Sequence, residues 1–271
     1  MQIAYCVANN ELVACSLRNG EVHVYDVNTK ILIRIFTLND QKVEDLGSAF
    51  VQLSINSEHL VAVSNHGDIS VWKISDEWIL IYNTGMLCDA KSLHKGSIQG
   101  VKIYGNIFIT GDTKGLWNIF KIMDAKVEQI RSEILEYDGH TSPINHIDFD
   151  GSYILIATNE EIILFSMEGG VTELNETIRF HALHISTCCL QYPFAVTSSL
   201  RSPGLKIWDL RSGELSNTLL EHSSFYGLDL KNGILVAPVY FNINDIFQLV
   251  HNHVLGISSY NNSYMNTCLG K

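Results

Sequence analysis

Positive charge is scarce in this chain, with 18 lysines and arginines against 29 aspartates and glutamates among 271 residues, a net charge of -11. A field of that sign repels phosphate backbones, so nucleic acid is excluded as the primary ligand. Proline is rarer still, at 4 residues, and no serine-, glycine- or glutamine-rich tract occurs. The composition therefore offers no linker and no internal domain boundary. No apolar run approaches the roughly 18 residues of a membrane span, and Met1 to Asn10 has neither a basic start nor a signal-length apolar stretch. The expectation is an intracellular protein, cytoplasmic or nuclear. The 6 cysteines form no CxxC pair; most sit in apolar strand-like runs, as free thiols do in a reducing compartment. No GxSxG elbow, GxxxxGK[ST] phosphate loop or HExxH helix is present. With no convergent titratable pair in view, no enzyme activity, cofactor, metal or small-molecule substrate is expected.

What the chain does contain is periodicity. Hydrophobic residues reach 46%, enough for a continuous core. One aromatic ends a short alternating strand in each of six units: Tyr25, Trp72, Phe120, Phe165, Trp208 and Phe247, separated by 47, 48, 45, 43 and 39 residues. That spacing fits four-stranded repeat units. A second marker keeps phase with the first. His94, His140, His181 and His222 precede their unit's aromatic by 26, 25, 27 and 25 residues. Within units the text alternates with period two, as in Glu11 to Leu17 and Glu21 to Val27 around the turn Arg18-Asn19-Gly20. Fourth strands are predicted near Ile31 to Leu38, Trp78 to Thr84, Val127 to Leu135, Val171 to Phe180, Leu215 to Leu220 and His253 to Tyr260. The fold class is all-β.

These units resemble WD40 repeats. The resemblance rests on LKIWDL at Leu205 to Leu210, with Trp208 and Asp209, on VYDV at Val24 to Val27, on SVWKI at Ser70 to Ile74, and on the Gly139-His140 pair. It implies a WD40-like β-propeller over residues 1–260, followed by a polar tail over residues 261–271. It also implies a buried network of His, Ser or Thr, Asp and Trp in each blade. No unit carries the whole set. The third offers His94, Thr110 and Asp112 with Phe120 in place of Trp; the fifth offers His181, Thr197 or Ser198 and Trp208 but no turn Asp. The repeat residues are thus expected to be structural, with the blades resting mainly on apolar packing. Trp78 and Trp117 are expected between sheets.

The candidate functional surface is a rim. Gln99, Asn145, Ser186 and Tyr226 follow the first apolar residue of the first strand in successive units, near the channel rim where the resemblance places partners. Phe225 adds aromatic bulk there, and Arg201 lies in the extended turn Leu200 to Gly204. Varied side chains on a repeated backbone are how such arrays specify partners. The expected function is a non-enzymatic protein-interaction scaffold or adaptor. A narrower version is substrate recognition for a cullin-type ubiquitin ligase, as in F-box/WD proteins; a subunit locked in a larger complex is the alternative. Six blades are recognisable. The first unit opens at Ile3 to Val7, and after Phe247 only Gln248 to Lys271 remain. A tight six-bladed ring and a seven-bladed ring with a gap both stay open, and the degenerate sixth unit favours the gap.

Overall fold

A computed structural model describes residues 3–37, 50–84, 93–124, 126–171, 173–182, 184–199, 204–220, 228–231, 234–238 and 252–256. Every regular element among them is a β-strand. The first sheet contains β1 (Ile3–Ala8), β2 (Leu12–Leu17), β3 (Glu21–Asp26) and β4 (Leu32–Thr37). The second contains β5 (Phe50–Ile55), β6 (His59–Ser64), β7 (Ile69–Lys73) and β8 (Ile79–Asn83). The third contains β9 (Ile98–Tyr104), β10 (Ile107–Asp112), β11 (Leu116–Met123) and β12 (Lys126–Ile134). A short hairpin follows, β13 (Glu136–Tyr137) with β14 (His140–Thr141). The fourth sheet is β15 (Ile144–Phe149), β16 (Tyr153–Thr158), β17 (Glu161–Ser166) and β18 (Asn175–His181). The fifth is β19 (Ile185–Gln191), β20 (Phe194–Ser199), β21 (Leu205–Asp209) and β22 (Glu214–Leu219). The last described sheet has three strands, β23 (Asp229–Lys231), β24 (Ile234–Pro238) and β25 (Asn252–Gly256). Within each four-stranded sheet sequence neighbours are spatial neighbours. The paired strands are antiparallel, the arrangement that short turns permit.

The chain divides into two compact units, Met1–Ile147 and Asp148–Lys271. In the first, β6 shows why the inner strands read as unbroken apolar text. Leu60 and Ala62 join a core with Leu12, Ala14, Val22 and Val24 of the first sheet, while Val61 and Val63 point the other way, into a core with Val101, Phe108 and Phe120 of the third. A strand alternates its side chains, so a sheet packed on both faces needs apolar residues at both parities. In the second unit β20 does the same: Ala195 packs with Leu155 and Leu164, Val196 with Leu230 and Leu235. Fourth strands are the least covered, and β4 leaves Leu32 to Ile35 exposed.

The repeat aromatics hold one register. Tyr25 pairs with Val13, Trp72 with Leu60, Phe120 with Phe108, Phe165 with Ile154 and Trp208 with Ala195. In all five sheets the ladder to the fourth strand slips by one residue at the step into that aromatic. A bulge at a fixed place bends each strand alike and increases its local twist. Aromatics of the preceding fourth strand meet three of these rings: Phe36 lies 4.6 Å from Trp72, Tyr82 6.4 Å from Phe120 and Phe180 4.7 Å from Trp208. Trp78 and Trp117 are both buried.

Two expectations need correction. The sixth-unit segment at Asn252–Gly256 is not a fourth strand; it pairs directly with β24, Val254 opposite Val236, and so takes the third position. Phe247, assigned there by spacing, lies outside the described residues. His140 also differs from His94. The turn Asp138-Gly139 has positive φ at both residues, 50° and 78°, the geometry of a tight two-residue hairpin. It carries His140 out to solvent on β14. At the sites matching Thr110 and Asp112 the fourth sheet has Ile156 and Thr158, which leaves no carboxylate to draw an imidazole inward.

Candidate functional site: bulged strand openings and a buried histidine network

A second slip recurs where first strands open. Between β1 and β2, Ile3 pairs with Leu17 and Tyr5 with Ser16, leaving Ala4 as the extra residue. By the same count the extra residue is Val51 in the second sheet, Gln99 in the third and Ser186 in the fifth. Gln99 and Ser186 were singled out by sequence as rim residues, and both are half-buried, as is Asn145. A bulge turns a side chain out of the pleat and leaves its backbone groups without ladder partners. Gln99 uses both effects. Its carbonyl accepts from the Gln52 amide of the second sheet, and its own amide donates to Ser97 Oγ at 2.8 Å. Ser186 Oγ donates to the Ser198 carbonyl at 3.0 Å. Arg201, Phe225, Tyr226 and His222 lie outside the described residues, as does the side chain of His181.

Behind the third-sheet bulge lies a polar cluster centred on His94 and Asp112, whose side chains have no measurable exposure. His94 Nδ1 is 3.1 Å from Asp112 Oδ2, and Nε2 is 2.7 Å from Thr110 Oγ1 and 2.9 Å from Asn118 Nδ2. Asn118 Oδ1 accepts from Gln129 at 2.8 Å, which fixes Nδ2 as the nitrogen facing the ring. An amide nitrogen only donates, so Nε2 is an acceptor and Nδ1–H donates to the carboxylate. The pattern thus places a ring proton of His94 on Nδ1. Asp112 accepts four more bonds, from the backbone N–H of Lys95, Gly96, Lys114 and Leu116. Burial pushes its carboxyl pKa up, but the bond from His94 and those from the backbone of Lys114 and Leu116 together outweigh burial and hold it below the usual aspartate value. The cluster pins the loop before β9 to the turn after β10, and so fixes the backbone that leads into Gln99. Asn118 and Gln129 escaped the sequence reading, because neither belongs to the pattern the resemblance supplies. In the fifth sheet the indole N–H of Trp208 donates to Thr197 Oγ1 at 2.9 Å. Asp209, half-exposed beside it, pairs with Arg211 at the surface.

The first unit also holds a polar cleft of about 300 Å³, lined by Glu58, His59, Lys73, Asn106, Ile122, Met123 and Asp124. His59 is buried, its Nδ1 has no hydrogen-bond partner, and burial lowers its pKa, favouring the neutral ring. No spacing or motif marks this cleft. Among the described residues no group of three His, Cys, Asp or Glu side chains is placed to hold a metal ion, and no helix is long and apolar enough to cross a membrane.

No protein-family model matches this chain, and no curated protein matches it in sequence. Solved structures do match. A chain of the mitotic checkpoint complex is similar over 87% of this chain and 71% of its own length, with 14% identity and a TM-score of 0.68. The computationally designed Ika8 protein is similar over 87% and 67%, with 19% identity and a TM-score of 0.65. At these identities the likeness shows the fold, which is all-β and propeller-like, an array of four-stranded antiparallel sheets.

Proposed function

We propose that this chain is a protein-interaction scaffold of the WD-repeat kind. The observation that carries this is the bulged opening of the first strands, one backbone device repeated in four sheets and bearing a different residue each time: Ala4, Val51, Gln99 and Ser186. A constant frame with varied side chains is a way to specify a protein partner, whereas Trp72, Phe120, Phe165, Trp208 and the His94–Asp112 pair are buried and serve the frame. Gln99, Asn145, Ser186, Arg201, Phe225 and Tyr226 are the proposed contacts. The negative charge of the chain favours a partner surface that is neutral or basic. The localisation we propose is the cytoplasm or nucleus, and we propose no catalysis.

The test is affinity purification of the tagged chain from its source cell, wild type against the pair Gln99→Ala and Asn145→Ala. A partner lost by the variant, with unfolding unchanged, supports the reading. A partner set identical in both places the contact surface elsewhere. A permanently assembled subunit is the second reading, favoured by the exposed Ile31, Ile33 and Ile35 around β4. It predicts co-purification in fixed stoichiometry and loss of assembly on Ile33→Glu. Substrate recognition for a cullin-type ubiquitin ligase is the narrower form of the scaffold reading. Ligase subunits among the captured proteins are its test.

A further inference from the structure

The register of the first sheet brings together two cysteines that are nine residues apart in sequence. Cys6 of β1 stands directly opposite Cys15 of β2, so their side chains leave the sheet on the same face. The kind of pair matters. Asn9 N–H donates to the Leu12 carbonyl at 3.0 Å, which makes residues 9 and 12 a hydrogen-bonded pair. Bonded and non-bonded pairs alternate along an antiparallel ladder, so Cys6 and Cys15, three steps on, form a non-hydrogen-bonded pair with Cα atoms about 4.5 Å apart. Disulfides span Cα separations of roughly 4.4–6.8 Å, so these two cysteines can be joined without moving either strand.

Access is unequal. Cys6 is exposed while Cys15 is buried, and both lie on the face turned away from the core of Leu12, Ala14, Val22 and Val24. The next residue in the row across the sheet is His23, opposite Cys15 on β3. Its nitrogens are engaged by Glu21 at 2.8 Å and Tyr25 at 3.3 Å, which leaves the thiols to each other. The neighbouring Cys6 thiol holds that of Cys15 below the usual range, and Cys6 is correspondingly held above it. The pair thus loses its first proton readily and its second with difficulty.

We infer that Cys6 and Cys15 form a redox-active dithiol that a peroxide converts to a cross-strand disulfide. The singly deprotonated pair rests with its proton on Cys6; transfer of that proton to Cys15 frees the thiolate of Cys6, the sulfur open to solvent, and it attacks one peroxide oxygen. The S–O bond forms, the O–O bond breaks and hydroxide leaves, giving a sulfenic acid at Cys6. Cys15 sulfur then attacks Cys6 sulfur. The S–S bond forms, the S–O bond breaks, and the departing hydroxide takes the Cys15 proton as water. With hydrogen peroxide the sum is two thiols and one peroxide giving one disulfide and two waters. The adjacent Cys188 and Cys189 cannot do this, because successive residues of β19 point to opposite faces.

The experiment treats the full chain with hydrogen peroxide, alkylates it under denaturing conditions and digests it with trypsin. Arg18 is the first cleavage site, so both cysteines fall on the peptide Met1–Arg18. The expected product is that peptide, unalkylated and lighter by two hydrogen atoms, restored by dithiothreitol. Cys188 and Cys189 stay alkylated. In Cys15→Ala, Cys6 should stop at the sulfenic acid and be captured by dimedone. Cys6→Ala should leave Cys15 unoxidised, and unchanged circular dichroism confirms that each variant folds. Doubly alkylated Met1–Arg18 after peroxide, a sulfinic acid at Cys6 beside alkylated Cys15, or a Cys6 link between two chains would each overturn the inference.

Discussion

The side-chain amide of Asn9 donates to the backbone carbonyl of Asn56 at 2.7 Å, tying the turn between β1 and β2 to the corresponding turn of the next sheet. Asn56 repeats the gesture, donating to the Gly105 carbonyl at 2.7 Å. Each asparagine also caps its own turn, Asn9 accepting from Glu11 and Leu12, Asn56 from Glu58 and His59. One residue thus shapes a hairpin and joins it to its neighbour. Asn56→Ala removes three hydrogen bonds at once and should cost about 1–2 kcal/mol, given partial replacement by water. Urea unfolding measures this, and Asn10→Ala, one residue beyond the Asn9 cap, is the control expected to change nothing.

Gly100 and Gly111 face one another across β9 and β10, and the notch they make receives Ile144 and Ile147 of β15. A Cβ on Gly100 would stand 2.8 Å from the Ile147 backbone nitrogen, a contact that no rotamer change relieves. Gly100→Ala should therefore destabilise the first unit by about 1–3 kcal/mol, as overpacking of a closed core does. Thermal unfolding checks it; an unchanged midpoint would show that β15 can retreat.

Asp112 makes stability depend on acid. Its carboxyl is held below the aspartate value of 3.8 in the fold. A group whose folded pKa is depressed contributes stability that is complete above the unfolded pKa and lost as pH falls through the folded one. The advantage of wild type over Asp112→Asn should be full at neutral pH and shrink below about pH 4. Chemical denaturation at a series of acid pH values follows the difference. A constant difference down to pH about 2 would mean that the carboxylate gains nothing from its five donors.

Trp208 and Thr197 should behave as a coupled pair. Trp208→Phe and Thr197→Val each remove one buried hydrogen bond and should each cost about 1 kcal/mol. The double variant should cost less than their sum, since both lose the same bond. Additivity in a double-mutant cycle would show that the indole matters only through its packing area.

Much of the architecture was legible in the text because a sheet covered on both faces has no freedom in its pattern. Apolar runs such as LVAV in β6 and ILIA in β16, punctuated by turns, impose strands of fixed length, and the aromatic spacing locates equivalent strands in successive sheets. Period alone could not supply the bulges. An extra residue in a strand changes no composition, so Gln99 and Ser186 could be proposed from position, yet the slip that turns them out of the pleat depends on pairing with β10 and β20.

The histidines mark the same limit from the other side. His94 and His140 hold equal phase in sequence, but burying an imidazole requires partners, and those come from residues distant in the chain: Thr110, Asp112 and Asn118 for His94, and none among the described residues for His140. Likewise Cys6 and Cys15 are two unremarked cysteines until register sets them face to face. Sequence by itself determined the strands, their repeat and the charge, because these follow from local alternation and composition. Tertiary structure alone decided which polar side chains meet, because pairing register and close packing between sheets are set by contacts among residues far apart in the chain.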